Sequence, residues 1–382
     1  MKILDFRFPS RPRRLGTGFR FAQISDFGLT NADSALQIRS KFLNPKSAFR
    51  NLKFFLFIFI GIFLASCGGG GQQTSGVHTP SLGERIMQAK APAFNADSAY
   101  YFVERQVAFG PRVPNTQAHA QCAAYLEETL GRFAHQVQMQ RTRVRTYDGT
   151  ALNIVNIIGS FNPESRNRIL LCAHWDSRPW ADHDPDPANH FTPILGANDG
   201  ASGVGVLLEI ARQISLQPTT CGLDIIFFDA EDYGEHQSKQ ARSNDSWALG
   251  SQYWARNPHQ PNYSARFGIL LDMVGAAEAV FTMEGTSMFY APDVMRRVWD
   301  IAHQLGYGAY FSYQRTSPVV DDHTYINEII RIPTIDIIHY GADTPTGFFE
   351  QWHTLGDNMD VIDKNTLRAV GQTVLTVVYL EN

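Results

Sequence analysis

Two adjacent acids, Glu231 and Asp232, close the stretch FFDAED at residues 227 to 232, directly after a run of apolar residues. Neighbouring carboxylates raise each other's cost of ionisation, so folding alone does not favour the pair. A cation between them, or a proton that must move, accounts for it. Related donors follow other apolar runs: His174 and Asp176 in CAHWD, Asp272 in LLDMVG and His339 in DIIHYG, with Asp229 beside the pair itself. Asp199 in LGANDGASG and His353 in FFEQWHT lie in loops or at helix starts. Histidine nitrogen and carboxylate oxygen are what zinc takes, and a catalytic zinc site leaves one position for water or substrate.

Each of these residues also has a plainer use. Asp199 could simply cap the helix that follows it. The acidic pair could be a solvated turn, and His353 an ordinary hydrogen-bonded histidine. A metal is favoured by coincidence: four strand-end positions and His353 all carry the same donor chemistry. Other chemistries find less support. The chain has no HExxH, no GxxxxGK[ST] and no GxSxG, and GASGVG lacks the spacing of a dinucleotide loop.

The donors need elements that bring them together. LNIVNIIG, RILLCA, LDIIFFDA, FGILLDMVG and IPTIDIIHYG are short, nearly continuous apolar runs, as expected of strands buried on both faces. SAYYFVERQVAF, TQAHAQCAAYLEETLGRF, GVGVLLEIARQIS, APDVMRRVWDIAHQLG and DKNTLRAVGQTVLTVVYL carry helical spacing, with Pro292 in a first turn. This alternation predicts an α/β fold: a single-domain three-layer sandwich, its mixed central β-sheet mostly parallel and helices on both faces. Ligands of such sheets bind at the carboxyl ends of the strands, where the donors lie.

Charge is distributed unevenly. Residues 1–66 hold 11 Lys+Arg against 3 Asp+Glu, so of the 33 and 37 in the whole chain the remainder keeps 22 and 34, a net of −12. A body that acidic repels phosphates, which argues against a nucleic-acid partner. The basic N-terminus reads as a targeting segment: Lys41, Lys46, Arg50 and Lys53 precede the apolar run Phe54 to Leu64, too short to span a bilayer comfortably. LASCGGGG resembles a bacterial lipobox with Cys67 as the lipidated residue. Residues 1–66 are thus expected as an extension and signal, 67–83 as a flexible tether and 84–382 as the catalytic domain, exported and lipid-anchored to the inner or outer membrane. Cys122, Cys172 and Cys221 remain, an odd number that allows at most one disulfide; buried free thiols are expected.

Taken in order, AHWDSRPW, LGANDGASGVGVLLEIAR, DIIFFDAEDYGE, ALGSQYWA, GILLDMVG, VVDDHTYI and EQWHTLGDN resemble the M28 zinc aminopeptidase superfamily. More narrowly they resemble its glutaminyl-peptide cyclotransferase (glutaminyl cyclase) branch in the exported bacterial form, from about Ala99 to the C-terminus. The resemblance implies one zinc per chain, held by Asp199, Asp232 and His353, with Glu231 as general base and acid. It implies that Asp272, and Asp322 from VVDDH, hydrogen-bond the substrate amide and share a proton. Trp352 is implied as an aromatic wall, with Phe348 near it.

The reaction implied is cyclisation of an N-terminal glutamine of peptides or proteins to pyroglutamate, with release of ammonia, by a monomer. Aminopeptidases of the superfamily hold a second metal on His174, Asp199 and Asp272, all present here, so a di-zinc aminopeptidase hydrolysing N-terminal residues is the alternative. VVDDH and QWHT weigh towards the cyclase, since an extra buried acid and an indole beside the metal suit a small lactam-forming pocket. The polar stretch YGEHQSKQARSNDSW is expected as an exposed loop, which argues against a substrate-contacting aromatic there, Trp247 included.

Overall fold

The computed structural model describes residues 79–239, 244–341 and 343–382. The expected signal segment, Cys67 and most of the tether lie outside the described residues. The helices are α1 (Leu82–Ala89), α2 (Ala96–Val107), α3 (Gln117–Gly131), α4 (Ala201–Leu216), α5 (Leu249–Arg256), α6 (Gly285–Tyr290), α7 (Pro292–Gln304), α8 (Asp322–Tyr325) and α9 (Lys364–Tyr379). The strands are β1 (Gln136–Arg145), β2 (Ala151–Phe161), β3 (Arg168–His174), β4 (Gly222–Phe228), β5 (Gly268–Asp272), β6 (Phe281–Met283), β7 (Phe311–Arg315) and β8 (Thr334–Ile338).

The apolar runs are continuous because both faces of their strands are covered. Along β3, Ile169, Leu171 and Ala173 join the larger core, while Leu170 and Cys172 join a second one on the opposite face. Residues of α2, α3, α4, α7 and α9 fill the first core; Trp254 and Ala255 of α5 help fill the second. Two helical layers therefore sandwich one sheet, as the alternation of runs requires.

The sheet runs β1-β2-β4-β3-β5-β8. The ladders β3–β4, β3–β5 and β5–β8 are parallel; β2 is antiparallel to both β1 and β4. β6 and β7 form a separate parallel pair. Sequence pattern did not reveal β1. Its residues QVQMQRTRVR alternate between exposed and half-buried, because it is an edge strand with one neighbour. α1 begins at Leu82, in the last residues of the expected tether, because Ser81 and Glu84 form a capping box there. Cys122, Cys172 and Cys221 are buried free thiols, too deep in apolar surroundings to ionise readily: burial pushes the Cys122 thiol up to about 12.

Candidate active site

β3, β4, β5 and β8 run parallel, so their carboxyl ends share one edge. There β3 ends on His174 and β5 on Asp272, while β4 runs out through Asp229 and Ala230 into Glu231 and Asp232. Ala230 turns that exit with φ 54°, and Met273, next to Asp272, and His353 itself adopt 49° and 55°. The left-handed region costs a non-glycine residue roughly 1–2 kcal/mol. The surrounding packing must hold these three backbones in place: Ala230 and Met273 are buried in apolar clusters beside the site.

One oxygen each of Asp199 and Asp232 and one nitrogen of His353, all buried, lie within 4.8 Å of one another. His353 Nε2 stands 3.1 Å from Asp232 Oδ1 and 3.5 Å from Asp199 Oδ2. Ligand atoms of a tetrahedral zinc with bonds near 2.0–2.1 Å stand about 3.4 Å apart, so this donor set fits the ion. Asp199 Oδ2 and both carboxylate oxygens of Asp232 have no hydrogen-bond partner. Buried oxygens left that way oppose folding unless a cation takes them.

Asp199 does not cap α4. Gly200 is the N-cap, with φ 101°, and a Cβ there would come 2.4 Å from the carbonyl oxygen of Asp176. The position therefore requires glycine. Asp357, which sequence reasoning missed, accepts the backbone N–H of Asn198 at 2.7 Å and of Asp199 at 3.0 Å, and so holds the loop that carries Asp199. Burial, followed by the charge of Asp199, holds the metal-free Asp232 carboxyl well above the usual carboxylate range. Burial also pulls the His353 imidazole well below its ordinary value, which favours the neutral form that binds a metal.

Glu231 belongs to neither donor set around His353 or His174. Its carboxyl opens on the same cavity, of about 280 Å³. Burial first, and the charge of Asp321 second, hold it well above the usual range. Asp272 also lines the cavity, and burial pushes it up to about 7. The expected partner Asp322 does not reach the cavity; Asp321 does. Asp321 is the extended N-cap of α8, with φ −156°, whereas Asp322 is the first helical residue, fully buried and facing Ser251. A one-residue step at a helix start redirects the side chain, and VVDDH offers two acids between which the letters cannot choose.

Trp352 and Phe348 both line the cavity with their rings 4.5 Å apart, and Trp352 stacks on His353 at 3.6 Å. Trp247 also lines the cavity, contrary to the expectation for its loop. Its ring lies nearly parallel to His353 (12°), and the Arg178 guanidinium sits 4.6 Å from its centroid. Arg178, buried, grips Asp182 through two hydrogen bonds of 2.7 Å and donates to the carbonyls of Asp232 and Glu235 at 3.1 Å. Such an anchor brings a polar loop, and its indole, against the site.

The remaining strand-end donors divide. His174 Nε2 lies 3.1 Å from Asp199 Oδ1 and 3.2 Å from Asp272 Oδ1, a second buried donor set that shares Asp199 with the first. Asp229 instead serves the scaffold, accepting from the backbone N–H groups of Val155 and Ala230 and facing His119. His339 stacks on Phe349 and is not part of either donor set.

Residues 156–378 match the model of peptidase family M28. The chain belongs to that family. Among solved structures it is similar to a Bacteroides thetaiotaomicron glutaminyl cyclase bound to N-acetylhistamine, 57% identical with a TM-score of 0.74, covering 76% of this chain and 99% of that one. It is equally similar to a Zn-dependent exopeptidase from Parabacteroides distasonis, 55% identical with a TM-score of 0.75, covering 76% and 99%. The glutaminyl-peptide cyclotransferase of Gloydius blomhoffii is 28% identical over 253 residues, which are 59% of this chain and 65% of that relative's length. The mixed sheet with helices on both faces is the family's fold, and the donor chemistry is that of a zinc protein.

Proposed function

We propose that this chain cyclises the N-terminal glutamine of peptides and proteins to pyroglutamate, releasing ammonia, with one zinc held by Asp199, Asp232 and His353. The observation that carries this reading is Glu231: a free carboxyl beside a metal-ligand neighbour, in a small cavity walled by Trp247, Trp352 and Phe348. Asp199, Asp232 and His353 would hold the zinc, whose positive charge would polarise the side-chain amide carbonyl.

The protein's own residues do the rest. Glu231 takes a proton from the substrate's α-amine, whose nitrogen bonds to the side-chain amide carbon. The bond from that carbon to the amide nitrogen breaks, and Glu231 delivers the proton to the departing ammonia. A carboxyl held above its ordinary range suits both halves of that transfer. Asp272 and Asp321 accept hydrogen bonds from the amide N–H groups and so aim the carbonyl. The aromatic wall excludes water, which the reaction does not consume.

A second reading rests on the donor set His174, Asp199 and Asp272, which matches a two-metal aminopeptidase. One assay separates the two. A Gln-peptide and a Leu-peptide are incubated with the protein, and ammonia and peptide mass are followed. Loss of one ammonia from the Gln-peptide, with the Leu-peptide intact, supports the cyclase; release of free leucine overturns it. The signal-like N-terminus and Cys67 in LASCGGGG support export and lipid anchoring, which metabolic labelling with a fatty acid tests by comparison with Cys67→Ser.

A further inference from the structure

Behind the cavity lies a chain of buried ionisable groups, of which the reaction above uses only Asp321. Asp321 lines the cavity and is 3% exposed; Glu284, His323 and Asp336 are each fully buried. One oxygen of Asp321, one of Asp336 and a ring nitrogen of His323 lie within 4.8 Å of one another. On the far side, His323 Nε2 stands 3.2 Å from Glu284 Oε1, while Nδ1 faces Asp336 Oδ2 at 3.9 Å.

Three carboxyls thus surround one imidazole, which can offset at most one of their charges. Like charges at this depth cannot all ionise. Hydrogen bonds decide which do. Glu284 accepts the backbone N–H groups of Thr286, Ser287 and Val319, so it is an anion. Asp321 Oδ1 accepts the N–H of Asp322. Asp336 receives no hydrogen bond on either oxygen from a backbone or hydroxyl donor. The carboxyl with the fewest donors keeps the proton.

We propose that Asp321 and Asp336 act as one carboxyl–carboxylate pair, Asp336 holding the shared proton and Asp321 presenting an anionic oxygen to the substrate, with His323 and Glu284 positioning that pair. The assignment rests on the cyclase reading for its substrate, but not for the pair itself. Burial, and then the charge of Asp321, hold the Asp336 carboxyl well above the usual range. The Glu284 carboxyl, which burial alone would raise, is held below its range by His323. The other groups facing the pair are Asp322 on α8, Asp272 on β5, Cys172 on β3, and Glu231 and His174 across the cavity. The arrangement lets Asp321 accept an amide N–H without Asp336 adding a second negative charge beside it.

The test compares D336N, which keeps a neutral hydrogen-bond donor towards Asp321, with D336L, which removes it. D336N is expected to stay within about threefold of the native kcat/KM, and D336L to lose about thirtyfold or more, both with unchanged zinc content. Infrared difference spectra of the native protein are expected to show the carbonyl stretch of a buried protonated acid, missing in D336N. H323Q is expected to move the acid limb of the kcat/KM profile to higher pH, because the pair loses the imidazole that faces it. The pair is overturned if D336N is as impaired as D336L, or if the infrared band persists in D336N. An unmoved acid limb in H323Q removes His323 from it. The infrared band reads the pair even in a protein that does not cyclise glutamine, so failure of this assignment and failure of the cyclase reading give different results.

Discussion

The two carboxylate oxygens of Asp176 accept the backbone N–H groups of Glu231 and Asp232, at 3.0 and 3.2 Å. One fully buried acid, just past the end of β3, therefore fixes the turn that carries both the proposed metal ligand Asp232 and the proposed proton carrier Glu231. This clamp holds the turn at Ala230 through its backbone and leaves the side chain of Asp232 to face His353.

Replacing Asp176 by Asn removes one of the two acceptors and leaves a buried N–H facing an amide. That costs about 1–3 kcal/mol of stability, read from denaturant unfolding. Zinc affinity, read by competition with a chelator, is expected to weaken about tenfold or more, as for other residues that orient metal ligands. Unchanged zinc affinity would show that the turn holds its shape without the clamp.

Glu231→Gln and Asp232→Asn separate the two jobs of the acidic pair. The first is expected to lower kcat by a factor of about 10²–10⁴ while zinc content stays at the native level. The second is expected to lose the metal itself, because the neutral amide is a poor substitute for an anionic ligand. Metal analysis of the two purified variants, beside their rates, checks both.

Much of this site was legible in the sequence. The continuous apolar runs gave the buried strands, and the rule of strand carboxyl ends gathered His174, Glu231, Asp232 and Asp272 without coordinates. Side-chain direction was not legible. Asp321 and Asp322 are both acids in a helix start, and only the backbone angles of the N-cap tell which one meets the cavity. Trp247 was hidden for another reason: its loop is polar and aperiodic, and its place is set by a long-range contact with Arg178. Asp357 acts through its hold on backbone N–H groups, a role that leaves no periodic signal. β1 escaped because an edge strand need not be apolar.

Trp247→Leu is expected to raise KM for a Gln-peptide about tenfold, or about 1.4 kcal/mol, with a smaller effect on kcat. Arg178→Lys is expected to have a similar effect on KM, since an ammonium cannot supply the same bidentate fork to Asp182. Steady-state kinetics of both variants test whether the loop contributes a substrate wall.

His339 predicts an acid limb in stability. Burial lowers its imidazole from the ordinary 6.5 to about 4. Below 6.5 the unfolded chain takes up a proton that the folded protein refuses, so this contribution is fully present above 6.5 and is lost as pH falls from 6.5 to about 4. The full swing is about 3 kcal/mol at most. His339→Phe, which keeps a ring beside Phe349, is expected to flatten this part of the unfolding free energy against pH; an unchanged slope would assign it to other groups.

The most direct measurement is a titration of zinc into the metal-free protein, with Gln-peptide cyclisation and Leu-peptide hydrolysis followed at each addition. The proposed mechanism requires cyclisation to rise linearly and stop at about one zinc per chain, with the Leu-peptide untouched throughout. Activity that needs about two equivalents, and cleaves the Leu-peptide, would place the second ion on His174 and Asp272 and contradict it.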